Sequence, residues 1–503
     1  MMLTELARRA RSPRWLGAIG VAAALALSAT PAAAGNERGN VQISQDPFTN
    51  ATSQHRTEVE PDTFAFGGTW VSAFQVGRFF DGGASDIGFS TTNGNGDHFA
   101  QGFLPGVTTF SQPAGAYDRA SDASVAFDLR HHVWLISFLA IHQPPGQPTG
   151  VVDVLASRSL DGVHWSLPVA VATLNTFLDK NWTVCDNSLF SPHFGNCYTE
   201  FDIASQRDLE QMTTSVDGGR TWGAPQATGD AAHGLGGQPL VQPNGRVVVP
   251  FEGVGATRGM RAFVSNDGGQ TWGTSVVISL IAARRVGGGT VRTSPLPTAE
   301  LDGLGNVYVV WQDCRFEAGC GFNDMVLSTS KDGTTWSAVQ RIPADAVGSN
   351  VDHFIPGLGV DQFSFGDHAR LALTYYTFPN ASCTVATCQL EVAFVTSRNA
   401  GASWSQPKVL TGPMNLSWVP VTNQGFMVAD YISTSFMGAA HARPAFMIAS
   451  PPPAAGSFQQ AAFSTVEDVD GGDVATAGDP VQFVPGTPAP GVDDGSNDDD
   501  NGI

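Results

Sequence analysis

The chain has 503 residues, of which 42% are hydrophobic and only 14% charged, together with 57 glycines and 31 prolines. This abundance of turn-forming residues argues against long helices and coiled coils. The formal net charge of -20 argues against binding to a phosphate backbone, so nucleic acid is excluded as the main partner.

Residues 1–34 have the pattern of a secretory signal peptide. Four arginines lie within the first 14 residues, a run of small apolar residues follows at 18–29, and three alanines at 32–34 precede Gly35. The apolar run is too short for a membrane helix, and no later segment has 18 consecutive apolar residues. We therefore predict a signal peptide at 1–34 and a secreted, extracellular mature chain without a membrane span.

Six later segments share one turn pattern, in which Ser, Asp or Asn, Gly and an aromatic residue follow one another. A short alternating or apolar stretch precedes most copies, as expected of a β-hairpin with a tight turn. The first copy is degenerate and has Phe in place of Trp. The segments are STTNGNGDHF (90–99), SLDGVHW (159–165), SVDGGRTW (215–222), SNDGGQTW (265–272), SKDGTTW (330–336) and SRNAGASW (397–404).

The final aromatic residues of these segments recur at intervals of 50 to 68 residues. An interval this long accommodates four strands, which is typical of one blade of a β-propeller. A second repeat supports this interpretation, because the sequence from Phe74 aligns with the sequence from Trp311 and places Arg78 and Arg315 at the same point. The sequence therefore predicts an all-β chain of repeated four-stranded blades over residues 35–466.

The number of blades stays open between six and seven. After Trp404, the segments VADYISTSF, RPAFMIAS and QQAAFSTV can supply three strands of a seventh blade without the turn pattern, and the N-terminal stretch NVQIS can close that blade. Residues 467–503 contain ten acidic and no basic residues, so we predict a disordered acidic tail.

The six cysteines fall into three close pairs along the chain. In an exported protein, an even number of locally grouped cysteines favours short-range disulfides, and no pair has the CxxC spacing of a metal site. The predicted disulfides are Cys185–Cys197, Cys314–Cys320 and Cys383–Cys388.

The repeated turn resembles the Asp-box, or bacterial neuraminidase repeat (BNR), of sialidase-like β-propellers, and the resemblance covers about residues 40 to 450. In that family the box is the structural turn between the third and fourth strands of a blade, so it implies the fold more strongly than the function. Sialidases have six blades, and the Phe-Arg-Ile-Pro motif that the family carries before the first box is absent here.

If the box lies between the third and fourth strands, the second-to-third turns and the connections between blades lie at the opposite end, where propellers usually hold ligands. Polar residues interrupt apolar runs at these places. They are Arg78, Asp118, Arg119, Asp122, Asp179, Lys180, Arg292, Asp313, Arg315, Asp352, His353, Asp430 and Tyr431.

The resemblance to sialidases implies particular chemistry. An arginine cluster grips the substrate carboxylate, a Tyr paired with a Glu attacks the anomeric carbon, and an Asp serves as acid and base. We predict Tyr431 as the nucleophile, Glu252 as its partner and Asp122 as the acid and base. The predicted substrate-binding arginines are Arg78, Arg292 and Arg315.

Two functions remain open. The first is an exo-α-sialidase-type glycoside hydrolase that acts on terminal acidic sugars without a metal or organic cofactor. The second is a non-catalytic propeller that binds a glycan or a protein and has lost the sialidase triad. In structural terms, Arg315 can simply order its own loop through Asp313, and Tyr431 can be a packed aromatic residue. We expect a monomer whose partner is a glycan or glycoconjugate.

Overall fold

The computed structural model describes residues 39–94, 96, 98–143, 150–469 and 474–476. The predicted signal peptide and most of the predicted acidic tail lie outside these residues. Within them the protein is built from antiparallel β-strands, and helical structure is limited to short 3-10 turns, which confirms the all-β class. These turns are Ala204–Gln206, Gly255–Thr257, Gly287–Gly289, Ala318–Cys320, Gly366–His368 and Leu416–Trp418.

After an N-terminal strand, β1 (Val41–Gln42), the strands form consecutive antiparallel groups that we call units. Unit 1 comprises β2 (Val59–Phe66), β3 (Thr69–Arg78), β4 (Ala84–Asn93) and β5 (Ala100–Phe103). Unit 2 comprises β6 (Arg119–Asp128), β7 (Val133–His142), β8 (Val151–Ser159) and β9 (Val169–Ala172). Unit 3 comprises β10 (Leu178–Cys185), β11 (Cys197–Ile203), β12 (Leu209–Ser215) and β13 (Gln226–Ala227).

The remaining units repeat this order. Unit 4 comprises β14 (Gly234–Leu235), β15 (Leu240–Val241), β16 (Val247–Gly253), β17 (Gly259–Ser265) and β18 (Val276–Ser279). Unit 5 comprises β19 (Thr298–Leu301), β20 (Val307–Asp313), β21 (Asp324–Ser330) and β22 (Gln340–Arg341). Unit 6 comprises β23 (Asp352–Val360), β24 (Leu371–Phe378), β25 (Gln389–Ser397), β26 (Ser403–Ser405) and β27 (Lys408–Asn415).

The last unit combines strands from both ends of the chain. After a small hairpin of β28 (Val421–Thr422) and β29 (Gly425–Phe426), unit 7 contains β30 (Ser433–Phe436), β31 (His441–Ala449) and β32 (Gln460–Ser464), and β1 pairs with β32 as its outer strand. Pairing continues beyond residue 466, because β33 (Glu467–Asp468) joins β31 and β34 (Val474–Thr476) joins β26.

The core lies between neighbouring units. Each buried apolar cluster that joins two units is formed by the facing sides of their strands, which alternate between the two faces of each sheet. One such cluster contains Trp134 and Trp165 between units 1 and 2, and another contains Trp70, Phe74 and Met447 between units 1 and 7. The first and last units are therefore packed against each other as the intermediate ones are.

The first strands of the units also contact one another in sequence. Described contacts join β2 to β6, β6 to β10, β10 to β15, β15 to β19, β19 to β23, β23 to β30, and β30 back to β2. The first strands thus surround a common central space.

Strand register defines two ends of every unit. In unit 1, Val59 pairs with Gln75 and Arg78 with Ala84, whereas Thr69 pairs with both Phe66 and Asn93. The start of the first strand therefore shares one end with the second-to-third turn, and we call this the crossover end. The turn after the third strand lies at the opposite end, which we call the box end.

The five Trp-containing segments adopt a common turn at the box end. In the fourth segment of the repeat, Ser265 Oγ accepts from the Gly269 N–H at 3.0 Å, and Asp267 Oδ1 accepts from the Gln270 and Thr271 N–H groups at 3.0 and 2.9 Å. In the last segment Asn399 takes the place of Asp and accepts from the Ser403 N–H at 2.9 Å. The Ser and Asp side chains therefore satisfy backbone donors that the strands leave unpaired.

We expect the Asp267→Ala variant to lose about 1–2 kcal/mol of unfolding free energy, because several donors of this turn lose their acceptor. Urea unfolding followed by tryptophan fluorescence measures the loss. The control is Asp367→Ala, a change at an exposed position of the box end, for which we expect a change within about 0.5 kcal/mol. Equal stability of the two variants would contradict a structural role for the turn.

All three predicted disulfides are present. Cys185 bonds to Cys197 across the β10 and β11 pair, Cys314 bonds to Cys320, and Cys383 bonds to Cys388. The last two close second-to-third turns of units 5 and 6, so they constrain loops at the crossover end.

Candidate functional site

Three first strands carry a charged residue in a left-handed conformation at the crossover end. These residues are Glu60 (φ 57°), Asp122 (φ 45°) and Lys180 (φ 50°). Each lies where the pairing of the first and second strands shifts register, which marks a β-bulge. A non-glycine residue with positive φ costs free energy, of order 1–3 kcal/mol, and such residues are concentrated at functional sites. The bulges turn these three side chains toward one another.

Lys180 lies at the centre of this group. Its Nζ is 2.6 Å from Asp430 Oδ2 and 3.8 Å from Asp122 Oδ1, and all three side chains are almost fully buried. Arg292 also binds Asp430 Oδ2 through its guanidinium group. Burial alone would lower the pKa of Lys180, but Asp430 and Asp122 raise that pKa above its ordinary value. Burial opposes the ionised form of Asp430, yet Arg292 and Lys180 hold its pKa well below the usual range.

Glu60 and Arg78 complete the group, which we call the crossover cluster: Glu60, Arg78, Asp122, Lys180, Arg292, Asp430 and Tyr431. Burial, and then the charges of Asp122 and Asp430, raise the pKa of Glu60, whose carboxyl accepts from Gln75 Nε2. Burial, and then the charge of Arg292, lower the pKa of Arg78 to about 10. Arg78 donates to its neighbour, the carbonyl of Phe79, at 2.6 Å.

Tyr431 is a hydrogen-bond donor within this cluster. Its hydroxyl lies 3.2 Å from the carbonyl oxygen of Ala123, and its ring makes an edge contact with Trp182 at a centroid distance of 5.1 Å. Burial, followed by the negative charges of Asp122 and Glu60, raises the pKa of Tyr431 well above its ordinary value. The surroundings therefore disfavour the phenolate that a nucleophilic tyrosine must form.

Asp122, the predicted acid and base, has one carboxyl oxygen committed and one without a described donor. Its Oδ2 accepts from Ser121 Oγ at 2.7 Å, whereas Oδ1 is buried and lies 3.8 Å from Lys180 Nζ. Glu252, the predicted partner of Tyr431, lies on the second strand of unit 4, where it is in register with Leu235 and Met260.

Arg315 is held within its own loop. Its guanidinium group donates to both carboxyl oxygens of Asp313, at 2.8 and 2.6 Å, and to Ser279 Oγ at 2.9 Å. The structure therefore brings together Arg78, Arg292, Asp122 and Tyr431 of the predicted site residues, while the described partners of Arg315 belong to units 4 and 5.

A small cavity adjoins one side of the crossover cluster. The cavity lined by Asp122, Lys180, Trp182 and Tyr431 has a volume of about 20 Å³, which is close to the space needed for one water molecule. A monosaccharide does not fit there without movement of the surrounding side chains.

The wide part of the central space opens toward the box end instead. It has a volume of about 560 Å³, within the range usual for ligand sites. Every unit contributes a residue to its wall: Asp62, Val125, Thr183, Gln238, Glu300, Leu358 and Ser433. We call this cavity the channel, and its rim is formed by the first-to-second turns of units 3, 5 and 6.

The channel wall combines aromatic rings with hydrogen-bonding groups. Phe64 and Trp182 lie inside, and Phe190 and Phe363 at the rim are 91% and 77% exposed. Burial, followed by the charge of Asp62, raises the pKa of Glu300 to about 8. Burial likewise raises the pKa of Asp62 to about 7, although the Val125 N–H bonds to its carboxyl. A second cavity of about 610 Å³ adjoins the channel and shares Glu300 with it.

One group of side chains of the types that bind metals is already paired with an arginine. Ligand atoms of Asp324, Asp345 and His353 lie within 4.8 Å of one another. The Arg341 guanidinium group is 2.7 Å from Asp324 Oδ1 and also contacts Asp345. The arginine therefore supplies the positive charge that balances these two carboxylates.

Comparisons with known proteins found structural similarity only. No family model matches the chain, and no curated protein matches it. Similar solved structures include an ulvan lyase of polysaccharide lyase family PL25, which is 12% identical with a TM-score of 0.47 and covers 86% of this chain and 96% of that chain. The Hadza microbial sialidase Hz136 is 12% identical with a TM-score of 0.43, over 80% of this chain and 76% of that chain. A protein of unknown function from Dyadobacter fermentans is 12% identical with a TM-score of 0.40, over 70% and 94%.

Among the described residues, no helix combines the length and the hydropathy that a membrane span requires.

Sequence reasoning missed Glu60, Asp62 and Glu300. Glu60 occupies the same place in unit 1 as Asp122 in unit 2 and Lys180 in unit 3, so comparison of the first strands could have found it. Pro61, which follows it, is a residue rarely found inside strands. The short strand around Glu300 has no distinctive pattern that would have indicated a channel residue.

Proposed function

We propose that the protein is a secreted, sialidase-like β-propeller that binds a carbohydrate in its central channel and does not hydrolyse sialosides. Seven units with mutually contacting first strands, and an apolar core between units 1 and 7, support a closed ring of seven blades. Three disulfides support export to an oxidising compartment. The N-terminal sequence pattern supports a signal peptide at 1–34, and the acidic composition supports a disordered tail in the part of 467–503 that follows β34.

The observation that carries the proposal against sialidase activity is the state of the crossover cluster. Its arginine and lysine charges are opposed by carboxylates inside the protein, as Arg292 and Lys180 both bind Asp430. A substrate carboxylate would have to displace Asp430 from both cations. The cavity beside Asp122, Lys180 and Tyr431 has a volume of about 20 Å³ and admits about one water molecule. The cluster is thus built as a buried ion network that joins units 1, 2 and 3 to the segments that precede units 5 and 7.

The channel supports carbohydrate binding. Aromatic rings cover the apolar face of a sugar, and amide, hydroxyl and carboxyl groups bond its hydroxyls. Phe64, Trp182 and Phe363 supply the aromatic rings. Asn187 and Gln362 are among the side chains that supply hydrogen-bonding groups. The cavity is also large enough for more than one sugar ring.

One observation favours an exo-α-sialidase as the second candidate. Arg78 and Arg292 are close enough to influence each other electrostatically, and Tyr431 and Asp122 belong to the same cluster. Activity would require the cluster to open and Tyr431 to lose its proton to a base. Arg315 would have to leave Asp313 to act as the third arginine.

We expect no release of product when the purified mature chain is incubated with a fluorogenic α-sialoside between about pH 4 and about pH 8. Tyr431→Phe should behave as the wild type in this assay and in thermal unfolding, because its hydroxyl makes a single described hydrogen bond. A glycan array probed with the same preparation should show binding. Turnover by the wild type that Tyr431→Phe abolishes would refute the proposal and establish the sialidase alternative.

A further inference from the structure

We propose that the channel selects an amino sugar, with the sugar ammonium group held by Glu300 beside Asp62. This inference rests on the proposed carbohydrate binding and names the class of sugar. It concerns the box end of the channel, on the side of the first strands opposite to the crossover cluster.

The ionisable side chains in the described channel wall are all acidic. Three acidic residues line it, Asp62, Glu300 and Asp302, and its described lining contains no Lys, Arg or His. The described lining of the adjoining cavity also lacks a basic residue and includes Asp361. A sugar carboxylate that entered the channel would find no cation and several acidic groups, so acidic sugars are disfavoured.

Two of the four acidic residues in the two linings, Asp302 and Asp361, already have hydrogen-bond partners within the protein. Asp302 accepts from the backbone N–H groups of Leu304, Asn306 and Gly366, so it serves the turn in which it lies. Asp361 accepts from the Phe363 N–H at 2.9 Å and pairs with Arg370 at 3.4 Å.

Glu300 is the carboxyl group presented to the ligand space. It is only partly buried, it lies on the wall common to both cavities, and the Leu301 N–H is the backbone donor that acts on it. Asp62 faces it from β2, is itself buried, and uses Oδ2 to accept from the Val125 N–H at 2.7 Å. An ammonium group beside Glu300 would therefore lie near two carboxyls.

The rings around these carboxyls suit the same ligand. Phe64 lines both cavities together with Glu300, while Trp182 and Phe363 also line the channel. Aromatic faces attract cations as well as covering the apolar face of a sugar ring. A glucosamine unit offers both an ammonium group and the apolar face of its ring, whereas its N-acetylated form offers only the ring face.

Proton linkage gives this proposal a specific signature. Because burial raises the pKa of Glu300 to about 8, its carboxyl is protonated in the free protein at mildly acidic pH. Binding of an ammonium group stabilises the ionised carboxylate, so the carboxyl must release its proton. Asp302 and Asp361, which are held by turn donors, and Asp62, which adds negative charge, are the described titratable groups that face this region from the neighbouring elements.

The test is calorimetric titration of the full mature chain at about pH 6 with a glucosamine tetrasaccharide, its N-acetylated counterpart and an oligosaccharide of uronic acid. We expect the glucosamine tetrasaccharide to bind about tenfold more tightly than the N-acetylated form and the acidic one to bind least. Titration in two buffers of different ionisation enthalpy should show release of a proton for the glucosamine tetrasaccharide alone.

Variants separate the role of Glu300 from general effects on folding. Glu300→Gln should reduce the preference to about twofold or less and abolish proton release, while the N-acetylated sugar still binds. The matched control is Glu391→Gln on β25, a partly buried glutamate outside the channel lining, which should keep both properties. Retained binding of the N-acetylated sugar shows that the Glu300 variant is folded.

The outcomes distinguish this inference from the proposed function. Binding of the N-acetylated or acidic sugar with equal or greater affinity than the glucosamine tetrasaccharide would overturn the inference alone. A preference that persists in Glu300→Gln would also overturn it. Absence of binding to all three, with no binding on a wider glycan array, would refute carbohydrate binding itself, and a lysine-rich peptide that then bound through Glu300 would indicate a protein partner.

Discussion

Replacement of Lys180 with methionine is expected to lower the free energy of unfolding by about 3–5 kcal/mol. Lys180 lies 2.6 Å from Asp430 Oδ2 and 3.8 Å from Asp122 Oδ1, and the three side chains are 6 to 7% exposed. Methionine has a similar volume but no charge, so two buried carboxylates would remain with less compensating charge. Urea unfolding of the purified variant measures the effect.

Lys331→Met is the matched control, because Lys331 is an exposed lysine in one of the box turns. We expect this change to alter stability by less than about 0.5 kcal/mol. A loss below about 1 kcal/mol for Lys180→Met would show that Arg292 alone balances Asp430, and the cluster would then not be the ion network described above.

Stability is expected to fall as the pH rises from about 5 to about 9. Burial raises the pKa of Asp62 to about 7 and those of Glu58, Asp86 and Glu210 to about 8. In this window the folded chain holds protons that the unfolded chain has released. Unfolding therefore releases protons, and rising pH favours the unfolded state. Below about pH 4 the trend reverses as Asp430, whose pKa is lowered in the folded state, becomes protonated.

Each unit of difference between folded and unfolded pKa corresponds to about 1.4 kcal/mol when fully expressed. For several such groups we expect the melting temperature to fall by on the order of 10 °C between pH 5 and pH 9. Calorimetry at constant ionic strength measures it. Asp86→Asn should reduce by about one the number of protons released on unfolding, and so flatten the dependence of melting temperature on pH. Asp367→Asn, at an exposed position, should leave this dependence unchanged. A melting temperature that is constant or rises over this range would contradict the prediction.

The sequence allowed the turns, the disulfides and much of the crossover cluster to be predicted. The box turns follow from local chemistry, because Ser, Asp and Gly within eight residues determine the hydrogen bonds. Asp122, Lys180, Arg292 and Asp430 could be grouped because polar residues interrupt apolar runs at equivalent places in successive units. Residues at equivalent places in a repeat can be expected to lie at equivalent positions in the fold, even when none of them belongs to a recognisable motif.

The neighbours of a side chain were harder to predict than its position. Arg315 has the place in unit 5 that Arg78 has in unit 1, yet Asp313 two residues earlier binds its guanidinium group. The closure of the space near Tyr431 depends on how tightly the first strands approach one another. That distance is set by packing between units that are far apart in the chain, so neither the narrow crossover end nor the wide channel could be inferred from local patterns.

The pairing of Val41 with Ser464 has a consequence for how this protein can be synthesised. The outer strand of unit 7 is among the first segments to be made, but its partner is made more than 400 residues later. Until unit 7 has been made, unit 1 exposes the apolar face that packs against it, so the partly made chain is prone to aggregation. Translocation before folding would protect it, and an N-terminal truncation that removes residues 41–42 should slow refolding and leave earlier units able to form.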